Sequence, residues 1–520
     1  MDRKQNHTPK SATMTRRSAL QLAGAAALAA GTVSTTGLSA AAQSTPSPAA
    51  PAYPLVLEQG PIKIYDYGLT LPTDDVTFRW ADHQGVRVPF HEALHAAFME
   101  AYPNITIEYD SLGQDLAELL AVGVQSGDAH DVLPSNAGIL APQAVREGWI
   151  APLDDVLPNF EQWKAAYPPN TFLPGINVFD GKTYSCPMYA SKLHRNLLFY
   201  NTGLLRDAGY DPATTPLTWD DFRAAARTVT EQGNYGFISA GGPGSSFVVT
   251  LAEIAGAHGG EFNWQTGEFN YTSDQFLAAI DLMMAMNDDG SFLPGMASMT
   301  DTDVRARLPQ GRAAMYISGI WNVSIWEQAE PGFDFGVASA PVPTSGEAFP
   351  LSIAPGIGEA YYLYAGSDYK EIAAALFAFV GSLEGNVALK EISKAVNPAV
   401  FPEANEIVDH SERGKRAIEI NDQQLRLRPA PAVRNLDATQ VEMERRPVTP
   451  NLMDVVNGIF SGQVGDPRAA MQDLQDRSNQ ELDRAIQAAV DSGAQVSRDD
   501  WVFSNWDPAE DYDLEKYEEL

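Results

Sequence analysis

The sequence predicts an α/β protein with at least two lobes, and three observations support this prediction. First, 520 residues are too many for one ordinary hydrophobic core, and a hydrophobic content of 44% is enough to fill more than one. Second, segments with strand and helix character alternate along the chain. Third, a strand, a helix and a second strand follow one another near the start, which is typical of an open lobe with a parallel sheet.

The first strand–helix–strand unit lies between residues 76 and 110. Residues 76–82 (VTFRWAD) have β character, and residues 104–110 (NITIEYD) return to a strand. Between them, residues 90–102 (FHEALHAAFMEAY) carry apolar side chains at helical spacing. This order predicts that the two strands are parallel neighbours in one sheet.

The same alternation recurs further along the chain. Residues 195–201 (RNLLFYN) predict a strand, and residues 217–233 predict a helix that begins with a capping box from Thr218 to Asp221. Amphipathic helices are also predicted over residues 369–383 and 468–490. The second half of the chain is therefore expected to build a further α/β lobe.

Residues 1–42 have the features of an export signal. Arg16 and Arg17 precede an uncharged, weakly apolar Ala/Gly run that ends in small residues near Ala40. Paired arginines before a weak apolar core are typical of the twin-arginine route. The run is poor in Leu, Ile and Phe, so a permanent membrane anchor is the less favoured alternative. No cysteine lies near the cleavage region, so we expect no lipid attachment. Residues 43–73 are predicted to be a Pro/Ser/Ala linker and an N-terminal extension.

Charge and cysteine content exclude several classes of function. The chain has 67 acidic and 35 basic residues and a net charge of −32. This excess argues against nucleic acid or an anionic membrane as partner, because phosphate binding needs clustered Lys and Arg. Cys186 is the single cysteine, so an intrachain disulfide and a thiolate metal cluster are excluded. Residues 501–520 are predicted to be an acidic C-terminal tail, of which residues 507–520 (DPAEDYDLEKYEEL) are predicted to be solvated.

One motif indicates an enzyme. Residues 91–95 (HEALH) fit the H-E-x-x-H pattern of zinc peptidases, in which two histidines on one helix face hold the metal and the glutamate activates water. The third histidine of the extended motif does not follow. The alternative is that His91, Glu92 and His95 lie on the polar face of the first helix. Residues 239–247 (SAGGPGSSF) lack the lysine of a phosphate loop and are predicted to line a cleft.

Several blocks in a fixed order resemble the extracellular solute-binding proteins of family 1, of which maltose-binding protein is the best-known member. They include VGVQSGDAHDVL, REGWIAPLDDV, LLFYNTGLLRDAGYDPATTPLTWDDF, LPQGRAAMYISGIWN and SDYKEIAAALFAFVGSLEGN. Each block is weak alone, but the ordered set is specific and extends from about Val76 to about Ile486. Proteins of this family are receptors of ABC importers, chiefly for carbohydrates.

The resemblance implies a two-lobe periplasmic binding protein fold of type 2, with a hinge and a ligand cleft between the lobes. It places residues 74–190 and 355–400 in lobe 1, and residues 191–354 and 401–500 in lobe 2. It further implies a binding protein rather than an enzyme, without a cofactor or a metal. The expected protein is an exported monomer, periplasmic or extracellular, that delivers its solute to the permease subunits of an ABC transporter.

The resemblance also places ligand contacts in the loops that face the cleft. Lobe 1 and the first crossing between the lobes, near residues 187–195, contribute Trp80, Asp82, His83, Gln84, Ser135, Asn136, Tyr189, Ser191 and His194. Lobe 2 and the second crossing, near residues 352–358, contribute Ser246, Phe247, Gly319, Trp321, Asn322, Pro355 and Gly356. Aromatic faces with mixed polar groups suit a sugar.

Trp321 is the most informative of these residues. It follows the apolar strand GRAAMYI, and periodicity alone allows either a core residue or a ligand platform. The resemblance favours the platform. Receptors of the same fold for polyamines, peptides or metal ions stay open as alternatives, since the sequence does not identify the solute.

Overall fold

Strands and helices alternate along most of the chain in a computed structural model that describes residues 53–83, 85–112, 116–135, 138–356 and 358–520, with only the backbone described at Ser245 and Ser246. The predicted export signal, Gln84 and Asn136 lie outside the described residues. The strands are β1 (Leu55–Gln59), β2 (Ile62–Tyr65), β3 (Val76–His83), β4 (Ile105–Leu112), β5 (Val132–Pro134), β6 (Ile150–Ala151), β7 (Val178–Phe179), β8 (Lys182–Thr183), β9 (Cys186–Tyr189), β10 (Leu197–Asn201), β11 (Tyr235–Phe237), β12 (Phe262–Asn263), β13 (Glu268–Phe269), β14 (Ala313–Ser318), β15 (Phe335–Ser339), β16 (Leu351–Ile353), β17 (Glu359–Tyr364) and β18 (Leu425–Leu427).

The α-helices are numbered in the same way. They are α1 (Val88–Ala101), α2 (Leu116–Ser126), α3 (Ala141–Arg146), α4 (Phe160–Ala165), α5 (Thr202–Asp207), α6 (Trp219–Glu231), α7 (Thr250–Ile254), α8 (Asp274–Asp288), α9 (Asp301–Arg307), α10 (Trp321–Ala329), α11 (Lys370–Val380), α12 (Leu383–Ser393), α13 (Glu403–Ile407), α14 (Glu412–Gln424), α15 (Pro431–Arg434), α16 (Ala438–Glu444), α17 (Leu452–Phe460), α18 (Pro467–Asp491) and α19 (Leu514–Glu518). The end of the Gly-rich segment predicted to line a cleft forms a π-helical turn, Gly244–Val249.

The first lobe is built around a six-stranded sheet. Its strand order is β4-β3-β5-β17-β6, and β9 also pairs with β17. β3 is parallel to β4 and β5, as the strand–helix–strand pattern predicts, whereas β17 is antiparallel to β5 and β6. β17 lies between β5 and β6 in this sheet although it comes more than 200 residues later in the chain. The first lobe is therefore built from two separate segments of the chain.

The second lobe is built around a four-stranded sheet of order β11-β14-β10-β15. Here β10 is antiparallel to both neighbours, and β11 is parallel to β14. The predicted capping box at the start of α6 is present, since Thr218 and Asp221 bond to each other's backbone N–H groups. The structure therefore has the two-lobe α/β architecture that the sequence predicts.

β16 and β18 form a two-stranded parallel ribbon, and its side chains Leu351, Ile353 and Leu425 pack in the apolar cluster of the second lobe. Leu193, at the first crossing, packs against the apolar clusters of both lobes. Gly358 allows a second close approach there, because a Cβ on it would lie 2.0 Å from the carbonyl oxygen of Ala190. These segments form the hinge region.

Two predicted boundaries are wrong. Phe401, assigned by sequence to lobe 2, packs in the apolar cluster of the first lobe together with Val400. The helix predicted over residues 369–383 ends at Val380 and is followed by the separate helix α12.

The predicted solvated tail is also wrong. Within residues 501–520, the aromatic side chains Trp501, Phe503, Trp506 and Tyr512 are buried and pack with Trp264 and the end of α18 in a separate apolar cluster. Acidic residues lie between these aromatic residues. The acidic composition of the segment therefore does not indicate that its aromatic side chains are buried.

The predicted N-terminal extension packs on the first lobe where the structure describes it, from residue 53, and the part of the predicted linker before that residue lies outside the described residues. β1 and β2 form an antiparallel hairpin, and Ile62 and Ile64 are buried against α1. Among the described residues, no single helix is long and apolar enough to cross a membrane; α11 and α12 meet that criterion only as a pair bent by 77°.

Candidate functional site

Trp321 lies at the first turn of α10, two residues after Gly319 and at the end of β14. Its side chain is half-buried. The indole ring covers Gly319 so closely that a Cβ there would lie 2.1 Å from ring carbon Cη2. Glycine is therefore required at position 319 for the ring to take this orientation, and the ring also packs against an apolar cluster of the second lobe while part of it stays exposed.

A charged pair lies beside this indole. Arg195 donates two hydrogen bonds to Asp301, from Nη1 to Oδ1 over 2.9 Å and from Nη2 to Oδ2 over 2.8 Å. The Arg195 guanidinium carbon lies 5.6 Å from the centre of the Trp321 ring, in cation–π range. Burial alone would raise the pKa of Asp301, but the hydrogen bonds and charge of Arg195 outweigh it and lower the pKa to about 2. The carboxylate is thus ionised at every physiological pH.

Asn322 and Phe247, both predicted ligand contacts, are buried instead. Asn322 is fully enclosed; it donates to Ser318 Oγ at 2.8 Å and to the Gly319 carbonyl at 3.1 Å, and accepts from Arg305 at 3.0 Å. Phe247 is part of the second-lobe core. Asn322 therefore fixes the Trp321 turn, and neither side chain has surface to offer a ligand. The side chain of Ser246 is not among those described.

In the first lobe, Asp82 is fully buried at the end of β3. Its carboxylate accepts from Arg87 Nε at 2.8 Å, and from the hydroxyls of Tyr109 and Tyr361 at 2.8 Å each. Its Oδ1 also accepts from the backbone N–H of His83 at 2.7 Å. The oxygens are saturated by protein donors, so the predicted ligand contact at Asp82 is corrected to a positioning role.

Arg87 connects the buried Asp82 to a partly exposed residue, Glu359. It is 4% exposed and bonds through Nη1 to Glu359, whose side chain is 24% exposed. Tyr189, predicted as a contact, is fully buried near the same arginine, and burial raises its pKa. Glu359 at the start of β17 is thus the accessible end of a buried chain of charges, and the prediction at Tyr189 is corrected to packing.

Trp80 and the two histidines of the HEALH motif share the first-lobe core. Trp80 is fully buried, with ring-centre distances of 5.1 Å to His91 and 5.0 Å to His95. Glu92, by contrast, is exposed. The motif's glutamate therefore lies away from its histidines and cannot activate water between them, and the described residues include no group of three potential metal ligands. The zinc-peptidase alternative loses its geometric basis.

These histidines predict acid sensitivity. Burial lowers the pKa of His91 from 6.5 to about 4 and that of His95 well below 6.5. The unfolded chain therefore binds protons that the folded protein does not as pH falls from about 6.5 to about 4, and stability is lost over that range. We expect a loss on the order of 1 kcal/mol or more per buried histidine, measured by urea unfolding at each pH.

A matched variant isolates this effect. Neither ring nitrogen of His95 has a hydrogen-bond partner within the described part of the chain. His95→Leu should therefore keep or raise stability at pH 7.5 and flatten the acid loss. An unchanged pH profile in this variant would show that His95 does not contribute.

The remaining predicted residues lie at the hinge and at nearby strand ends. Ser191 donates to the carbonyl of Gly356 at 2.9 Å, linking the first two crossings. Ser135 Oγ accepts from the Ala360 N–H at 3.0 Å. Pro355 and Gly356 are buried, and Gly356 has a φ of 113° that only glycine adopts readily. These contacts shape the hinge, and the buried pair is corrected from ligand contact to hinge geometry.

His83 and His194 differ in exposure. His83 is exposed at the end of β3. His194 directly precedes Arg195, and burial together with the Arg195 charge lowers its pKa to about 4. His194 is therefore a neutral group beside the Arg195–Asp301 pair.

The structure brings together some predicted residues and adds others. Trp321 is joined by Arg195 and Asp301, while Arg87 and Glu359 extend the network of Asp82. Sequence reasoning missed all four charged residues. Arg195 could have been recognised in the sequence, because it is a charged residue at the start of an otherwise apolar strand. Glu359 could not, because its partner Arg87 is 272 residues away.

Comparison with known proteins agrees with this architecture. The solved structures that resemble the chain include the GacH receptor of Streptomyces glaucescens GLA.O, solved unliganded and with acarbose (19% identity, TM-score 0.59, 78% of this chain and 98% of that chain). Another is the maltose/maltodextrin-binding domain MalE of Bdellovibrio bacteriovorus bound to maltotriose (19%, TM-score 0.57, 78% and 100%). A third is a solute-binding protein of an ABC transporter from Thermotoga lettingae TMO bound to α-D-tagatose (19%, TM-score 0.59, 79% and 100%). At these identities the likeness shows the fold.

The sequence comparisons are complementary. No curated protein matches the chain at the similarity required. A family match, however, extends over residues 80–387, which is more than half of the chain and includes β3 to α12 with both sheets. The chain belongs to the bacterial extracellular solute-binding proteins.

Proposed function

We propose that this protein is the extracytoplasmic substrate-binding component of an ABC importer, and that it binds a sugar or oligosaccharide between its lobes and delivers it to the permease. One observation carries the proposal: the half-buried indole of Trp321 lies beside the ionised Arg195–Asp301 pair. An aromatic face contacts the C–H patches of a sugar ring, while guanidinium and carboxylate groups donate to and accept from its hydroxyls.

The two-lobe fold supplies the mechanism. A ligand that touches both lobes stabilises the closed state relative to the open one, so closure signals that the receptor is loaded. In this proposal Trp321 and Arg195 contact the ligand from the second lobe, and His83 and Glu359 contact it from the first. Gln84, Asn136 and Ser246 remain proposed contacts by resemblance. The protein performs no chemistry on the ligand and needs no cofactor.

The solved relatives support a carbohydrate. Proteins of the same fold have been solved with acarbose, maltotriose and α-D-tagatose. These ligands range from a monosaccharide to oligosaccharides, and they support the class of solute without selecting one sugar.

A receptor for polyamines or metal ions is the second candidate, and the charges argue against it. A polyamine site needs carboxylates without protein cations beside them. Here Asp301 is paired with Arg195, and Glu359 with Arg87. Because both carboxylates are already neutralised, a neutral polyhydroxy ligand is favoured over a cation.

Location and partners follow from the same proposal. The family is extracellular. We propose export by the twin-arginine route, a periplasmic or extracellular location without a lipid anchor, and action as a monomer that docks on permease subunits. The net charge of −32 is consistent with the absence of a nucleic-acid partner.

A thermal-shift screen tests the ligand class. At about 100 times its dissociation constant, a ligand adds roughly 2.7 kcal/mol to the free energy of unfolding. We expect a clear rise in melting temperature with at least one mono- or oligosaccharide, and none with spermidine, peptides or divalent cations. A shift with a cation or peptide and none with any carbohydrate would overturn the proposal.

A further inference from the structure

The C-terminal segment, residues 501–517, reaches the hinge region. We propose that Asp511 is a positioning residue for ligand capture, because its carboxylate ties the first crossing between the lobes to the β16–β18 ribbon and so restrains hinge bending. The role in capture rests on the proposed function, whereas the restraint itself concerns the ligand-free protein.

One carboxylate makes both connections. Asp511 Oδ2 lies 2.8 Å from Nζ of Lys192, which belongs to the first crossing. Its Oδ1 accepts from the backbone N–H of Leu427 at 2.8 Å. Leu427 in turn pairs with Ile353 in the parallel ribbon. A single side chain thus links the first crossing directly to β18, which is paired with β16.

The neighbouring backbone strengthens this attachment. Tyr512 N–H donates to the Leu427 carbonyl at 2.9 Å, so residues 511 and 512 engage both polar groups of Leu427. Arg426 Nε donates to the Ala509 carbonyl at 2.9 Å, and the Ala430 N–H donates to the hydroxyl of Tyr517 at 2.8 Å. The segment therefore follows the ribbon over several residues.

The segment is itself held firmly in the second lobe. Phe503 is fully buried and its N–H donates to the Trp264 carbonyl at 2.8 Å. Gln265 Nε2 donates to the Trp506 carbonyl at 2.9 Å, and Trp506 is 2% exposed. These buried anchors attach the segment to the second lobe, so Asp511 connects the first crossing to that lobe.

This restraint has a physical consequence for capture. Hinge closure is absorbed by dihedral changes in a few residues of the crossings. Tying Lys192 to Leu427 limits independent movement of the segments that contain them. The range of hinge conformations in the ligand-free protein is then narrower, so less conformational freedom is lost when a ligand is captured.

Hydrogen exchange followed by mass spectrometry on the ligand-free full chain tests the restraint. Asp511→Asn keeps an oxygen for the Leu427 N–H but removes the charge opposite Lys192, and Lys192→Ala removes the cation. In both variants we expect peptides covering residues 189–194 and 351–356 to exchange about five-fold faster, the factor that one exposed ion pair can supply. The double variant should match the single ones, because all remove the same interaction.

Two controls make the result specific. Lys192→Arg keeps the cation and should behave as the wild type. Lys182→Ala breaks a comparable pair, Lys182–Asp155 at 2.9 Å, within the first lobe and should leave the crossings unchanged. Faster exchange confined to residues 505–517, or spread evenly over the chain, would overturn the proposal. No ligand is used, so a failure here is distinct from a failure of the sugar proposal.

Discussion

Asp82→Ala should destabilise the folded protein by about 3–5 kcal/mol, because it leaves a buried cation without its main counter-charge. Arg87 is 4% exposed and donates to Asp82 through Nε and Nη2. The hydroxyls of Tyr109 and Tyr361 lose their acceptor in the same change. Urea unfolding at pH 7.5, with the free energy extrapolated to water, measures the effect.

A surface ion pair provides the matched control. Asp128 bonds to Arg79 at 2.9 Å, and its side chain is 80% exposed. Asp128→Ala should therefore change stability by about 1 kcal/mol or less. If Asp82→Ala lowered the free energy of unfolding as little as Asp128→Ala does, the Asp82 network would not stabilise the first lobe. Asp82 would then again be a candidate for direct contact with the ligand.

Trp321→Ala should weaken sugar binding by about 2 kcal/mol or more and leave folding largely intact. The ring is half-buried and packs only from the edge against an apolar cluster of the second lobe, so its removal should cost less stability than removal of a fully buried tryptophan. Titration calorimetry with a sugar that raises the melting temperature measures the loss, and a thermal melt without ligand measures folding.

Two further variants distinguish a ligand-binding role of Trp321 from a role as a core residue. Trp321→Phe keeps an aromatic face and should retain most of the affinity. Trp326→Ala, five residues along α10, removes a side chain that is 1% exposed and should lower stability by about 3–5 kcal/mol. If Trp321→Ala unfolds like Trp326→Ala and the remaining folded protein binds normally, Trp321 is a core residue.

The fold could largely be predicted because its signals are local. The capping box at Thr218 and the strand–helix–strand pattern of β3, α1 and β4 depend on neighbours in sequence. The C-terminal segment could not be predicted in this way. Its acidic composition indicates solvent, and the burial of Trp506 and Tyr512 depends on Trp264 and α18, which lie far away in the chain.

The candidate site was less predictable for the same reason. Asp82 has the residue type and position of a ligand contact, yet its acceptors are used by Tyr361, 279 residues away. The HEALH motif has the spacing of a metal site, but the apolar face of α1 carries both histidines into the core. Trp321 differs because the glycine two residues before it leaves room for the ring at the surface.

Small-angle X-ray scattering with and without a carbohydrate tests most directly whether the protein closes on a sugar. A sugar bound between the lobes stabilises the closed state relative to the open one. The radius of gyration should therefore decrease when a sugar identified by thermal shift is added, and Trp321→Ala should abolish the decrease at the same sugar concentration. A sugar that binds the wild type tightly without changing the radius of gyration, or a decrease seen only with a polyamine or peptide, would contradict closure on a sugar.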